Sequence, residues 1–365
     1  MTYAQKGLLV GLCIGVAGLA LATNSATSSA QTVPQPAPAM KLKDVPALRG
    51  VPSLTVRSAT STNHAAHVFP TVPLLNTIKR AKSAAGYQDV GPLVYHSGGS
   101  VMTGNLRFYL IFWIPAHLQN GGATSLPPGY RGVMTSLARN YGGHAISAIN
   151  TQYYQTIAGT TTYITGNAIL GGTVVDTGAY PTRTCNDTAT PGNCLTDAQI
   201  QAKIASVMDA QGWTGGMNKM FLLFTSSGMG SCFDNSNSAC SYTYYCAYHS
   251  YFTHNARPVI YGNEPYGNTS VCLGSNGVPN NGVSDAAATA ASHEMSEAIT
   301  DPLLDAWYSS QGNENGDLCA YNYGTNTYDG GKANQSWAGH FFDLQQEFSN
   351  HAYATTGSGC IQGGP

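Results

Sequence analysis

The stretch Ser284-Asp-Ala-Ala-Ala-Thr-Ala-Ala-Ser-His-Glu-Met-Ser-Glu-Ala-Ile-Thr-Asp-Pro302 governs how the rest of the chain is read. Ser284 suits an N-cap and Pro302 ends the run, so a helix is predicted from there to about Thr300. At about 100° per residue, His293 and Glu297 stand one turn apart, offset by about 40°. Glu294 lies about 100° and Asp301 about 80° from His293, so the four share one arc of about 100°. Alanine fills most other positions, and such small side chains allow close backbone approach. That pattern predicts a buried helix. A buried ionised carboxylate costs several kcal/mol or shifts its pKa upward unless it has a partner. Lys and Arg together number only 16 in 365 residues, which favours a divalent cation over a basic side chain as that partner.

His293-Glu294-x-x-Glu297 is a relative of the H-E-x-x-H zinc motif with Glu in place of the second His. Zinc accepts imidazole nitrogen and carboxylate oxygen at similar distances, so the exchange is chemically permitted. By analogy His293 and Glu297 are metal ligands, and Glu294 is the general base acting on metal-activated water. A further ligand has to come from beyond the helix. Glu314 and Asp317, in Gln311-Gly-Asn-Glu-Asn-Gly-Asp317, are the candidates. The same loop is also compatible with calcium, which takes several oxygens, although its spacing is not that of an EF-hand. The competing reading is a hydrogen-bonded network of these side chains with Tyr308 or backbone amides.

Outward from this helix, Asn105-Leu-Arg-Phe-Tyr-Leu-Ile-Phe-Trp113 and Lys219-Met-Phe-Leu-Leu-Phe-Thr225 read as buried strands, and Pro258-Val-Ile-Tyr261 as a short third. Val133, Met134, Leu137 and Tyr141 mark one helical stripe. Thr196-Asp-Ala-Gln199 is a capping box opening a second helix that stops at Gly212. The region after Cys319 reads as irregular. The fold class is α/β, or α+β: a mostly buried central sheet, long disulfide-bonded loops, and a buried Ala-rich helix carrying the zincin-like motif.

Composition narrows the function. Net charge is −2 and only 9% of residues are charged, so the cationic footprint of a nucleic-acid binder is missing. Residues 1–30 read as a signal peptide: Lys6, an apolar run from Gly7 to Ala22 too short to span a bilayer, and Ser28-Ser-Ala30 as the cleavage pattern. No other stretch is long and apolar enough to cross a membrane, so none is expected once the signal is removed. Residues 31–90, rich in Pro, Ala and Ser, read as a linker or pro-segment, and residues 91–365 as a single domain. Setting Cys13 aside with the signal leaves eight cysteines, an even number that fits four disulfides in an exported chain. Cys185 with Cys194 and Cys319 with Cys360 are plausible local staples. No G-x-S-x-G elbow, P-loop or dinucleotide fingerprint occurs.

Several of these segments together resemble the phosphate-induced protein 1 family, the EXORDIUM-like secreted proteins. The matching pieces are Tyr95-His-Ser-Gly98, Met102-Thr-Gly104 with the strand to Trp113, Cys246-Ala-Tyr-His249, His293-Glu-Met-Ser-Glu297, Thr300-Asp-Pro302, Ala306-Trp-Tyr308, Glu314, Asp317-Leu-Cys319 and Gln335-Ser-Trp337. Asp301 stands where the family has Asn, and Ala247 where it has Gly. The resemblance implies an extracellular or cell-wall location and a disulfide-bonded domain, without fixing a reaction. Two functions are then expected. One is a secreted zinc peptidase-like hydrolase; the other is a non-catalytic protein that binds an extracellular protein or cell-wall polysaccharide through its tyrosine-rich segment, Tyr242 to Tyr251. His96 and His249 are read as loop histidines bonded to backbone, with a role as extra ligands or proton donors as the alternative.

Overall fold

Leu106–Trp113 is apolar nearly throughout because both of its faces are covered. Phe108, Leu110 and Phe112 face one hydrophobic core, and Tyr109, Ile111 and Trp113 face another on the opposite side. The computed structural model describes residues 41–59, 64–87, 91–275 and 277–364. The signal-peptide reading of residues 1–30 therefore lies outside the described residues.

Seven strands build the central sheet: β1 (Thr55–Arg57), β2 (Ala65–Pro70), β3 (Leu106–Trp113), β4 (Ala168–Asp176), β5 (Lys219–Thr225), β6 (Tyr245–His254) and β7 (Arg257–Glu264). Their spatial order is β1-β2-β6-β7-β5-β3-β4. The half from β7 to β4 is parallel, and the half from β1 to β7 is antiparallel. Four helices matter here: α1 (Val72–Ala84), α2 (Tyr130–Asn140), α3 (Asp197–Gln211) and α4 (Val283–Thr300). Helices α2 and α4 cover one face, with Val133, Leu137, Ala291 and Met295 in its core. Helix α3 covers the other through Ile200, Ile204 and Met208, and Ile78 of α1 joins it. The chain is thus a mixed α/β protein with a sheet sandwiched between helices.

Helix α3 follows its sequence signals: the Thr196–Gln199 capping box is formed, and Gly212 ends the helix in the left-handed region at φ 65°. Helix α4 differs in one detail. Gly282, not Ser284, precedes it, and Asp285 accepts the Gly282 N–H at 2.8 Å. Every residue from Ser284 to Thr300 is buried, as the alanine pattern implied.

Three expectations need correction. Of the segment 31–90 expected as linker or pro-segment, the described residues 41–59 and 64–87 are not a loose linker: β2 is buried along its whole length between β1 and β6, and α1 follows it. Ala65-Ala-His-Val-Phe-Pro70 carries no polar alternation because both its faces are covered, and its Thr- and Ser-rich flanks masked it. Tyr245–His254 is a long strand that the Tyr-rich composition concealed. The region beyond Cys319 holds short paired strands, Gln335–Trp337 with His340–Phe342 and Glu347–Phe348 with Cys360–Ile361.

Four disulfides join Cys185–Cys194, Cys232–Cys240, Cys246–Cys272 and Cys319–Cys360. Both local staples expected from spacing are present. No helix among the described residues is long and apolar enough to cross a membrane.

Candidate metal centre

Helix α4 turns His293, Glu294 and Glu297 toward the antiparallel half of the sheet. Strand β6 presents His249 there, and β2 presents His67 directly opposite it in register. The loop after α4 closes the arrangement with Glu314 and Asp317. That loop is firmly held: Asn315 Nδ2 donates to Ser296 Oγ at 2.8 Å and to Asn150 Oδ1 at 3.0 Å, and Cys319 is tied to Cys360. His67, His249, His293, Glu294, Glu297 and Glu314 are fully buried, and Asp317 nearly so.

The sequence-derived candidates therefore converge. His293 Nε2 lies 3.0 Å from Glu297 Oε1 and 3.9 Å from Asp317 Oδ1. Glu314 faces two histidines that the sequence reading had not placed: His249 Nε2 is 3.7 Å from its Oε2, and His67 Nδ1 is 3.8 Å from its Oε1. His249 is thus not a loop histidine but a strand residue inside the cluster. Three sets of ligand atoms fall within 4.8 Å of one another: His67 with Glu297 and Asp317, His249 with Glu297 and Glu314, and His293 with Glu294 and Glu297. Glu297 belongs to all three. A fourth such set, Cys185, Cys194 and Cys232, consists of disulfide sulfurs and offers no thiolate.

Protonation divides the histidines. Burial pushes His249 well below its usual range, helped by His67 and His293, and pushes His293 down to about 4. Both rings are therefore neutral, the form that ligates metals. Burial also opposes charge on His67, but Asp317, hydrogen-bonded to its Nε2, outweighs it, and the pKa rises. Asp317 thus favours the protonated form of His67. Burial raises Glu294, Glu297 and Glu314 well above the carboxylate range, and each is raised further by a neighbouring acid.

The hydrogen bonds leave a gap at the centre. His249 Nε2, His293 Nε2, Glu297 Oε2, both carboxylate oxygens of Glu314 and Asp317 Oδ1 are buried without a hydrogen-bond partner. Burial of that many unpaired acceptors is costly, and a cation that draws on all of them removes the cost. Two other buried acids, Glu264 and Glu347, also lack partners but join no such ligand set among the described residues.

Glu294 is engaged differently. Its Oε1 accepts the Phe69 N–H of β2 at 3.1 Å, and its Oε2 accepts from His249 Nδ1 at 3.0 Å. With the His249 proton on Nδ1, that second bond is the arrangement by which carboxylates orient metal-binding histidines, and Nε2 is then the ligating nitrogen. His293 is less prepared. Gln345 Nε2 lies 2.9 Å from its Nδ1 and 3.0 Å from Gly316 O, so a free Nε2 requires the amide to turn over. Gly316 backs directly onto this pair; a Cβ there would stand 2.6 Å from His293 Nδ1 and 2.9 Å from Glu297 Oε1.

The remaining sequence candidates lie elsewhere. Asp301 ends α4 and accepts the Ala306 N–H at 2.7 Å. His96 stacks on Tyr308 with ring centroids 3.6 Å apart. In the tyrosine-rich segment Tyr245 and Tyr248 are fully buried, so they pack the core and present no sugar-stacking surface. His67 was missed because it sits in the stretch read as linker; His249 had a usable signal in Cys246-Ala-Tyr-His249. Compared with protein-family models, with curated proteins and with solved structures, the chain matches none.

Proposed function

We propose that this chain is a secreted, EXORDIUM-like, metal-dependent hydrolase of zinc-peptidase type, whose centre is closed in the form described here. One observation carries the reading: neutral histidine nitrogens and partnerless carboxylate oxygens surround Glu297 in a fully buried space. His249, His293, Glu297 and Glu314 are the ligands, with Asp317 held beside them by His67. The mixed nitrogen and oxygen set favours zinc over calcium, which prefers six to eight oxygens. When bound, such an ion supplies Lewis acidity for water and for a carbonyl group. The protein's own contribution is positional. Glu294 orients His249 through Oε2, and its Oε1 is the site for a proton taken from water. In peptide hydrolysis the water oxygen bonds to the carbonyl carbon, the C–N bond breaks, and that proton passes to the leaving nitrogen. Four disulfides suit an oxidising compartment and support export.

Elemental analysis of the full chain, purified from an oxidising compartment, tests the centre; about one equivalent of metal is expected. Glu294→Gln should retain the metal and lose all hydrolysis. Turnover that survives the substitution rejects Glu294 as the base.

A second reading is favoured by the complete burial of the centre and by the two partners already held by Glu294. In it the ion is structural, and the protein binds an extracellular protein or cell-wall polysaccharide. Glycan binding that is indifferent to chelator, with no hydrolysis of any peptide, supports this second reading.

A further inference from the structure

Strand β2 does four things at the centre at once. His67 sits on Asp317. The Phe69 N–H occupies Glu294 Oε1, the oxygen assigned to the base. The Phe69 ring covers His293, with centroids 4.4 Å apart. Its backbone pairs antiparallel with β6, from His249 opposite His67 to Tyr245 opposite Pro70, and Ser250 Oγ donates to Ala65 O at 2.6 Å. These are the contacts that an extended peptide makes when it adds to the edge of a sheet above a reactive centre: main-chain pairing for affinity, and alternate side chains in pockets.

The position of β2 in the chain makes this meaningful. Among the described residues, strand β1 pairs in the sheet with β2 alone, so β1, β2 and α1 follow one another as one piece at the sheet margin. The piece runs on through Ser83–Tyr87, which is exposed, and Tyr87 is 45% accessible. Exposed connections of this kind are where proteolytic nicking concentrates. Without the piece, the outer edge of β6 would present unpaired N–H and C=O groups beside His249, a template for another strand.

We propose that Ala65–Pro70 occupies the substrate position of this domain. Residues 41–59 and 64–87 are an intramolecular plug, and the substrate that replaces it is an extended polypeptide added antiparallel to β6. The reaction performed on that polypeptide rests on the hydrolase reading above; the peptide position does not. The selectivity follows from what β2 now fills: an aromatic side chain over His293, and a basic or imidazole side chain, two residues before it, toward Asp317.

The test uses the full chain with a site-specific protease sequence inserted after Tyr87. The folded protein is cut, and the freed segment is removed by gel filtration in mild denaturant and return to buffer. A labelled peptide of residues 64–71 is then titrated by fluorescence anisotropy. The cut and stripped protein should bind it at least about tenfold more tightly than a scrambled peptide, while uncut protein binds neither. The plug is refuted if the segment leaves only together with global unfolding seen by circular dichroism, or if the stripped protein does not distinguish the two peptides. Peptide binding without hydrolysis upholds the plug and overturns the hydrolase reading alone; metal content of the uncut chain probes that reading separately. A second measurement needs no cut. In uncut Phe69→Ala, hydrogen exchange at residues 245–250 should rise by about tenfold or more while β3 amides keep their protection. Equal acceleration in β3 overturns the plug, because β2 then opens only with the whole sheet.

Discussion

Two buried carboxylate clusters lie on opposite faces of the same sheet, and they have opposite hydrogen-bond balances. Asp197, at the start of α3, is 1% exposed and accepts from Tyr248 Oη at 2.8 Å, Tyr261 Oη at 2.5 Å, and His64 Nε2 and Gln201 Nε2 at 2.6 Å each. Glu297 and Glu314, under α4, are buried as deeply, yet three of their four oxygens have no partner. Burial alone therefore does not single out a candidate ligand, and neither does unmet valence alone, since Glu264 is also partnerless; the α4 centre combines unmet valence with convergence of several ligand atoms. Asp197 is a satisfied structural network, and the α4 centre is a group of ligand atoms that could hold a metal ion.

The comparison can be broken by removing that ion. Chelation of the metal-loaded chain should lower stability by about 4 kcal/mol if the free ion is about a thousandfold above its dissociation constant, read as a fall in the thermal midpoint. An unchanged midpoint would mean that no ion belongs there. Next in size, Glu297→Ala should abolish metal binding and cost about 3 kcal/mol in the loaded protein, because the ion it shares with His249 and Glu314 is lost with it. In the metal-free protein the same substitution should be neutral or stabilising, since it deletes a buried acid with one partnerless oxygen at the cost of a single backbone hydrogen bond from Asp317. Urea titration of both forms checks this change of sign. Asp197→Asn sharpens the contrast: it should cost about 1–3 kcal/mol whether or not metal is present, and leave metal content intact. Gly316→Ala should cost no more than this, about 1–3 kcal/mol at most, because its Cβ presses on His293 and Glu297. Metal affinity should fall in this variant while the Asp197 side of the sheet keeps its hydrogen-exchange protection.

Much of the α4 centre was legible in one dimension. His293, Glu294 and Glu297 share a helical face by spacing alone, and Glu314 and Asp317 follow too closely to lie far from it. The two other histidines were not legible in the same way. His249 is 44 residues before His293 and His67 is 226 before it, and pairing across strands leaves no short-range pattern. Glu294 shows a further limit. Its place in the motif names it a base, but only the fold reveals that Phe69 and His249 already hold its two oxygens.

The sequence by itself determined the buried helix and its polar arc, the strands around Phe108 and Phe221 and the capping box at Thr196, and it suggested the short Cys185–Cys194 loop without fixing the disulfide pairing. Each of these depends on interactions within a few turns, a single strand or a short loop, where local spacing reports geometry. Tertiary structure alone decided that residues 41–59 and 64–87 belong to the domain, that β2 lies across the centre, and in which direction each of three histidines is shifted. Those outcomes depend on what is packed against each group. A buried imidazole takes its protonation from the carboxylate beside it, and the chain brings that carboxylate from 250 residues away.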